Sequence, residues 1–311
     1  MKINPGRVSR IFLSPYHYAG LPPFCGHTGA GAMSSVENYF ERHFGRRVTV
    51  TPNGRTAIAV ILCSLGLKPD DEVYITTTFE KPNVSSCVTC TIFNFCRPSR
   101  VITDKTKAIF AIHEFGVPHP RISGLRGMAK ERRIPLIEDC AHTIDSVDKG
   151  GQVGVNGDYV VCSFPKIFPV RQGGLMMGDG LTYKPTAKEK AVIDEVKRTL
   201  PRYLSYLKQY SERKRANFAL LESMFKEMRL EPLYTLAEGI SPAILFPLVT
   251  DGFEGVMEAL SDRGIECGLW HGANIVVLPG HQFLTEREIR VIFKAVERGL
   301  RKGRCRSAGR A

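Results

Sequence analysis

The chain has 311 residues, 43% hydrophobic and 24% charged, which suits a folded protein with one large core and a second, smaller one and argues against an extended disordered polypeptide. No run approaches the roughly 18 apolar residues of a membrane span, and Met1-Lys2-Ile3-Asn4-Pro5-Gly6-Arg7 has no hydrophobic signal region after it, so no membrane partner and a cytoplasmic location are expected. The formal charge of +12 favours anionic partners, and the nine scattered cysteines read as reduced thiols rather than a disulfide framework.

Residues 1–35, rich in proline, glycine and aromatics (Pro15-Tyr16-His17-Tyr18, Leu21-Pro22-Pro23-Phe24), read as an extended arm laid on another surface. A helix capped by Ser34 or Ser35 carries Val36, Tyr39 and Phe40 and stops near Gly45. Val48 to Val50 is a short strand, and Thr51-Pro52-Asn53-Gly54-Arg55-Thr56 turns from it into a helix over 57–65. A unit beginning Asp70-Asp71-Glu72-Val73 is expected to form a strand that ends in Thr77-Thr78-Phe79, with further strands at 91–95, 108–112, 135–139 and 159–162 and a helix over 122–132. Cys87-Val88-Thr89-Cys90 falls in a strand-like run with no second pair at ligand spacing, and no metal site is expected.

The repeated order of strand and helix predicts a mostly parallel, doubly wound α/β sheet over 36–185. Residues 186–230 form a charge-laced helical connection broken by Pro201, and 231–299 a smaller α/β unit. Its elements are a strand over 243–249, a helix over 255–263, a strand over 275–278 and a closing helix from Thr285, which forms a capping box with Glu288. Residues 300–311 read as a solvated basic tail; no aromatic platform accompanies its arginines, which argues against nucleic acid.

Four strand ends carry candidate chemistry: the turn Asn53 to Thr56, Phe79, Asp139 with His142, and Ser163 with Lys166. In an open sheet such ends converge on one crevice. By position alone Lys166 could be solvated, paired, or an uncharged nucleophile. A helix-N-terminal turn for a phosphate, an aromatic ring, a carboxylate and a lysine together make up what pyridoxal 5'-phosphate requires.

Through Phe40-Glu41-Arg42-His43-Phe44-Gly45, Asn53-Gly54-Arg55-Thr56-Ala57, Leu67-Lys68-Pro69-Asp70-Asp71-Glu72-Val73, His113-Glu114-Phe115-Gly116, Ile137-Glu138-Asp139-Cys140-Ala141-His142 and Ser163-Phe164 to Gly173-Gly174, the chain resembles the DegT/DnrJ/EryC1/StrS sugar aminotransferases. The resemblance implies a fold-type-I pyridoxal-phosphate transferase, α/β with a mostly parallel sheet flanked by helices and a smaller C-terminal α/β domain. It implies Lys166 as the Schiff-base lysine and sole catalytic residue, Asp139 as partner of the ring nitrogen, and Phe79 stacked on the ring. His142 takes the place of a glutamine near the ring oxygen. Gly54, Arg55, Thr56 and Ser163 fall at the phosphate, and His113 corresponds to a strand-end histidine that could reach the substrate or be satisfied by packing. The implied activity moves an amino group from an amino acid, glutamate by default, to a keto sugar, nucleotide-linked, in a homodimer. The alternatives are another pyridoxal-phosphate reaction (dehydration, elimination or decarboxylation) or a non-catalytic partner subunit.

Three departures stand out. Ser163 and Lys166 are two residues closer than in the family, Gln172 replaces its glutamate, and its glycine-asparagine-tyrosine-arginine region after the lysine is missing.

Overall fold

The computed structural model of the chain describes residues 10–18, 35–148, 151–270 and 272–308. Leu21-Pro22-Pro23-Phe24 of the expected arm and the last three residues of the expected tail lie outside them.

Helix α1 (Val36–Phe44) begins at Ser35, whose hydroxyl accepts the Asn38 N–H, and ends at Gly45 in the left-handed region. Strand β1 (Val48–Thr51) leads through Pro52 and Asn53 into α2 (Gly54–Ser64). There follow β2 (Glu72–Thr77), α3 (Ser86–Phe93), β3 (Arg97–Ser99), β4 (Thr106–Ile112), α4 (Ile122–Arg132) and β5 (Leu136–Asp139). A short hairpin, β6 (Val147–Asp148) and β7 (Gly151–Gln152), precedes β8 (Tyr159–Ser163) and β9 (Gly174–Met177).

Seven strands form one sheet in the order β1-β9-β8-β5-β4-β2-β3. From β8 to β3 all pairings are parallel, whereas β9 runs antiparallel to both β8 and β1. One reversed strand therefore joins β1 to the parallel set. This brings the start of α2 to the same sheet edge as the C-terminal ends of β5 and β8.

The run over 91–95 is not a strand. It belongs largely to α3, whose Val88, Thr91 and Ile92 recur at helical spacing and bury one face against Ile58, Ile61 and Leu62 of α2. The Thr91 hydroxyl donates to the Cys87 carbonyl 2.6 Å away, one turn back. Cys87 and Cys90 accordingly sit on a helix.

The helical connection comprises α5 (Ala187–Thr199), α6 (Pro201–Leu204) and α7 (Leu207–Glu227), with Pro201 in the first turn of α6, where its missing N–H costs nothing. The smaller lobe contains β10 (Leu245–Val249), α8 (Phe253–Ser261), β11 (Gly268–Trp270), β12 (Ile275–Pro279) and α9 (Glu286–Ala308). Its sheet, ordered β10-β12-β11, is antiparallel throughout. Thr285 and Glu288 form the expected capping box on α9. The backbone of α9 continues through Gly303 to Ala308, so the segment read as a separate tail is mostly helix.

The described part of the N-terminal arm rests on this chain's own small lobe. Ile11 is buried and bridges to Ile265, and the Phe12 carbonyl lies 3.0 Å from His281 Nε2. Among the described residues no helix is long and apolar enough to cross a membrane.

Candidate active site

The Asn53 turn is built by capping. Asn53 Oδ1 accepts the Thr56 N–H at 2.9 Å and the Thr56 hydroxyl at 3.3 Å, while the Thr51 hydroxyl donates to the Asn53 carbonyl. The paired glycines hold this turn against the sheet: the Gly173 N–H donates to the Pro52 carbonyl at 2.8 Å, and Gly174 lies opposite both Thr51 and Ser163 in register.

After Ser163 the chain enters a single 3-10 turn, Phe164–Lys166, with Pro165 in its first positions. Phe164 anchors the turn, fully buried and stacked on Phe40 with ring centroids 5.5 Å apart. From the small lobe, Gln282 Nε2 donates to the Ile167 carbonyl at 2.8 Å. The tight turn accommodates the two missing residues, because Ser163 and Lys166 still line the same cavity.

That cavity, of about 190 Å³, is lined by Asn53, Gly54, Arg55, Asp139, Ser163 and Lys166 together with the apolar Ile58, Val88, Ala141 and Val161. Asp139 sits buried at the end of β5, with Oδ1 accepting the Ala141 N–H at 2.9 Å. An amine, a carboxylate and a helix-N-terminal donor cluster with an arginine and a serine thus face one space. This donor set fits pyridoxal phosphate: the turn, Arg55 and Ser163 suit its phosphate, Asp139 its ring nitrogen and Lys166 its aldehyde.

The structure does not bring every expected residue there. Thr56 is spent on the cap and borders, with Arg55, a neighbouring groove between α2 and α3. Phe79 does not line the cavity. Its N–H donates to Glu114 Oε2, and its ring lies 5.7 Å from Tyr234 and 6.3 Å from Phe115, in an aromatic cluster between the lobes. The apolar walls are aliphatic, and no described aromatic residue lines this cavity.

His113 is also elsewhere, in a sealed pair. The His119 N–H donates to its Nδ1 at 2.8 Å, so Nε2 carries the proton and donates to Glu138 Oε2 at 3.0 Å. With both ring nitrogens occupied and the side chain buried, packing accounts for it and substrate contact does not. Cys140 completes a buried group with these two residues. Burial, and then the neighbouring Cys162, pushes the Cys140 thiol far up, and Glu138 also takes the Gly154 and Gly157 N–H groups. The donors of this trio are therefore satisfied by protein.

His142 follows Ala141 on the turn after β5. Its Nδ1 accepts the Phe115 N–H at 3.3 Å, and burial, then the charges of Lys166 and Lys214, hold its basicity well below the ordinary histidine range. Two neighbours escaped the sequence reading: Lys214 of α7 and Asp145, a buried pair at 3.4 Å. A signal existed, since Lys214 interrupts the apolar stripe formed by Leu207, Tyr210, Phe218 and Leu221.

The sheet order, its single reversed strand and the small C-terminal lobe define the α/β architecture of fold-type-I pyridoxal-phosphate transferases. Residues 97–183 match the DegT/DnrJ/EryC1/StrS aminotransferase family. A GDP-perosamine synthase of Vibrio cholerae is 29% identical over 173 residues, 48% of this chain and 47% of that protein, so the match spans about half of the curated relative. Among solved structures, the aminotransferase TlmJ of Streptoalloteichus hindustanus superposes with a TM-score of 0.70 at 18% identity, covering 88% of this chain and 92% of that one. A putative sugar aminotransferase of Streptococcus pneumoniae in its apo form gives 0.71 at 16% identity, covering 90% and 93%, and it has also been solved in pyridoxal-phosphate and pyridoxamine-phosphate forms. The family match covers residues 97–183, and the likeness to the solved structures extends the shared fold over most of the chain.

Proposed function

We propose that this chain is a pyridoxal-phosphate-dependent aminotransferase that moves an amino group from an amino acid, glutamate in the first instance, to a keto sugar carried on a nucleotide. The observation that carries this reading is the convergence of Lys166, Asp139, Ser163 and the Asn53–Arg55 turn on one cavity. The bound cofactor would supply the electron sink and carry the amino group between the two substrates.

The protein's part follows from its own groups. Backbone donors at the start of α2, the Arg55 guanidinium and the Ser163 hydroxyl would hold the phosphate. Asp139 would pair with the ring nitrogen and favour its protonated form. Lys166 Nζ would hold the cofactor's aldehyde, and its free amine would be placed to take the proton from the donor's α-carbon. A nucleotide-linked acceptor is supported by the GDP-sugar named for the curated relative and by the net charge of +12.

The assembly in this reading is a cytoplasmic homodimer. Phe93, 72% exposed on α3, gives that helix an apolar surface beside the cavity-lining Cys87 and Val88.

The test is incubation of the cofactor-loaded protein with glutamate. Transamination predicts one equivalent of 2-oxoglutarate per cofactor and a spectral change to the pyridoxamine form, reversed by a nucleotide-linked keto sugar. Release of ammonia over many turnovers would instead indicate elimination, and no change with any amino acid would indicate a non-catalytic subunit.

A further inference from the structure

We propose that Lys214 is a positioning residue: paired with Asp145 on the turn that carries His142, it holds that imidazole with Nδ1 as acceptor and Nε2 as donor. Lys214 is 1% exposed and Asp145 7%, and the Nζ–Oδ2 separation is 3.4 Å. Asp145 Oδ2 also accepts the Ser241 hydroxyl at 2.6 Å, whereas Oδ1 is buried without a hydrogen-bond partner. A buried ion pair with such loose geometry stabilises a fold poorly, because desolvation outweighs attraction unless the remaining valences are filled. Stability alone is thus a weak account of a lysine in the apolar stripe of α7.

The pair's place in the fold supplies another account. His142 and Asp145 share one turn, and the Phe115 N–H already occupies His142 Nδ1. A second proton on the ring would have to sit at Nδ1, facing that N–H, so the doubly protonated ring fits this site badly. Lys214 from α7 and Lys166 from the turn after β8 both oppose it further. The other titratable groups here are Asp139 and Asp145 at the end of β5 and on its following turn, and Tyr39 of α1, which feels the Asp145 charge. Asp145 lies three residues further along the same turn, and Lys214 is its ion-pair partner. The imidazole is thereby kept as a single-tautomer donor, the histidine counterpart of the neutral amide at this place in the resemblance. Only that last use rests on the cofactor reading.

The experiment reads His142 in the apo protein, so it does not depend on cofactor binding. With ¹⁵N-labelled histidine, long-range proton–nitrogen NMR gives the tautomer and protonation state of each ring, and His142 is assigned by the signal lost in His142→Gln. The wild type is expected to show the Nε2–H tautomer, unprotonated from pH 8 to 5. In Lys214→Met, His142 is expected to titrate inside that window, upward by about one pH unit or more. Lys214→Met/Asp145→Leu, which leaves no unpaired buried charge, is expected to fall between the two and serves if the single variant does not fold. Pyridoxal-phosphate affinity, measured alongside by quenching of Trp270, is expected to weaken in Lys214→Met and to be kept in Lys214→Arg. A folded variant lacking Lys214 in which the tautomer and titration of His142 match the wild type would overturn the proposal. Failure of the cofactor reading would show separately, as no binding by the wild type.

Discussion

Gly174 lies flush against Gly54: a Cβ on Gly174 would come within 2.8 Å of the Gly54 nitrogen and of the Asn53 carbonyl carbon. The Asn53 turn therefore seats on β9 through a glycine that has no room to grow. Gly174→Ala must push the turn and α2 outward. Overpacking of this kind costs about 1–3 kcal/mol. The expected outcome is a lower urea midpoint with an unchanged slope, together with weaker cofactor binding; full retention of both would show that the contact does not set the turn.

The His113–Glu138 pair predicts a large stability effect with little change in the cavity. Burial alone would raise the Glu138 carboxyl, but donation from His113, then from the Gly157 and Gly154 N–H groups, holds it below the ordinary range. Glu138→Gln removes the charge from a site built of donors, one of which then faces the new amide NH₂. A loss of about 3 kcal/mol is expected in denaturant unfolding. A loss under about 1 kcal/mol would mean that the group is solvated in the folded protein.

Acid sensitivity follows from three histidines. Burial holds His119 and His281 at about 4 and His142 well below its ordinary value. The folded state binds these protons less readily than the unfolded state, so the stabilisation is fully present above about pH 6.5 and falls as pH drops toward about 4. Each histidine contributes a slope of up to about 1.4 kcal/mol per pH unit in that window. Glu138, whose folded value is depressed, adds a further loss below about pH 4.5. Thermal melting should fall clearly between pH 7 and pH 5; a flat profile would contradict the burial of these rings.

Arg55 and Asp139 separate affinity from chemistry. Arg55→Ala removes a charged donor from the phosphate end of the cavity, and cofactor binding should weaken by about tenfold or more. Asp139→Asn keeps an oxygen for the Ala141 N–H but cannot hold a proton on the ring nitrogen. Amino transfer should fall by about 100-fold or more while the cofactor is still bound. Equal effects of the two variants on affinity and rate would remove the distinction.

Much of this site was legible because its parts are local. Asn53-Gly54 caps a helix after a strand, and Asp139 and Ser163 end strands in a parallel set, so topology alone carries them to one edge. Lys166 was read from its distance to Gly173-Gly174, and it lines the cavity beside the Asn53 turn that Gly173 holds through the Pro52 carbonyl. What escaped depended on partners far away in sequence. Phe79 was expected at the cavity, but the chain turns at Glu80 with a positive φ of 52° and the ring meets Phe115 and, from the smaller lobe, Tyr234. Residues 91–93 look like strand by composition, and only α2, which covers Val88 and Ile92, decides for a helix. His113 belongs to Glu138, 25 residues on. Lys214 belongs to Asp145, 69 residues back. No local pattern announces either pair.

The most direct measurement is mass spectrometry of the protein after loading with pyridoxal phosphate and reduction with borohydride. A single phosphopyridoxyl group on Lys166 is expected, with visible absorbance before reduction that Lys166→Ala abolishes. Label distributed over surface lysines, or absorbance unchanged in Lys166→Ala, would contradict it.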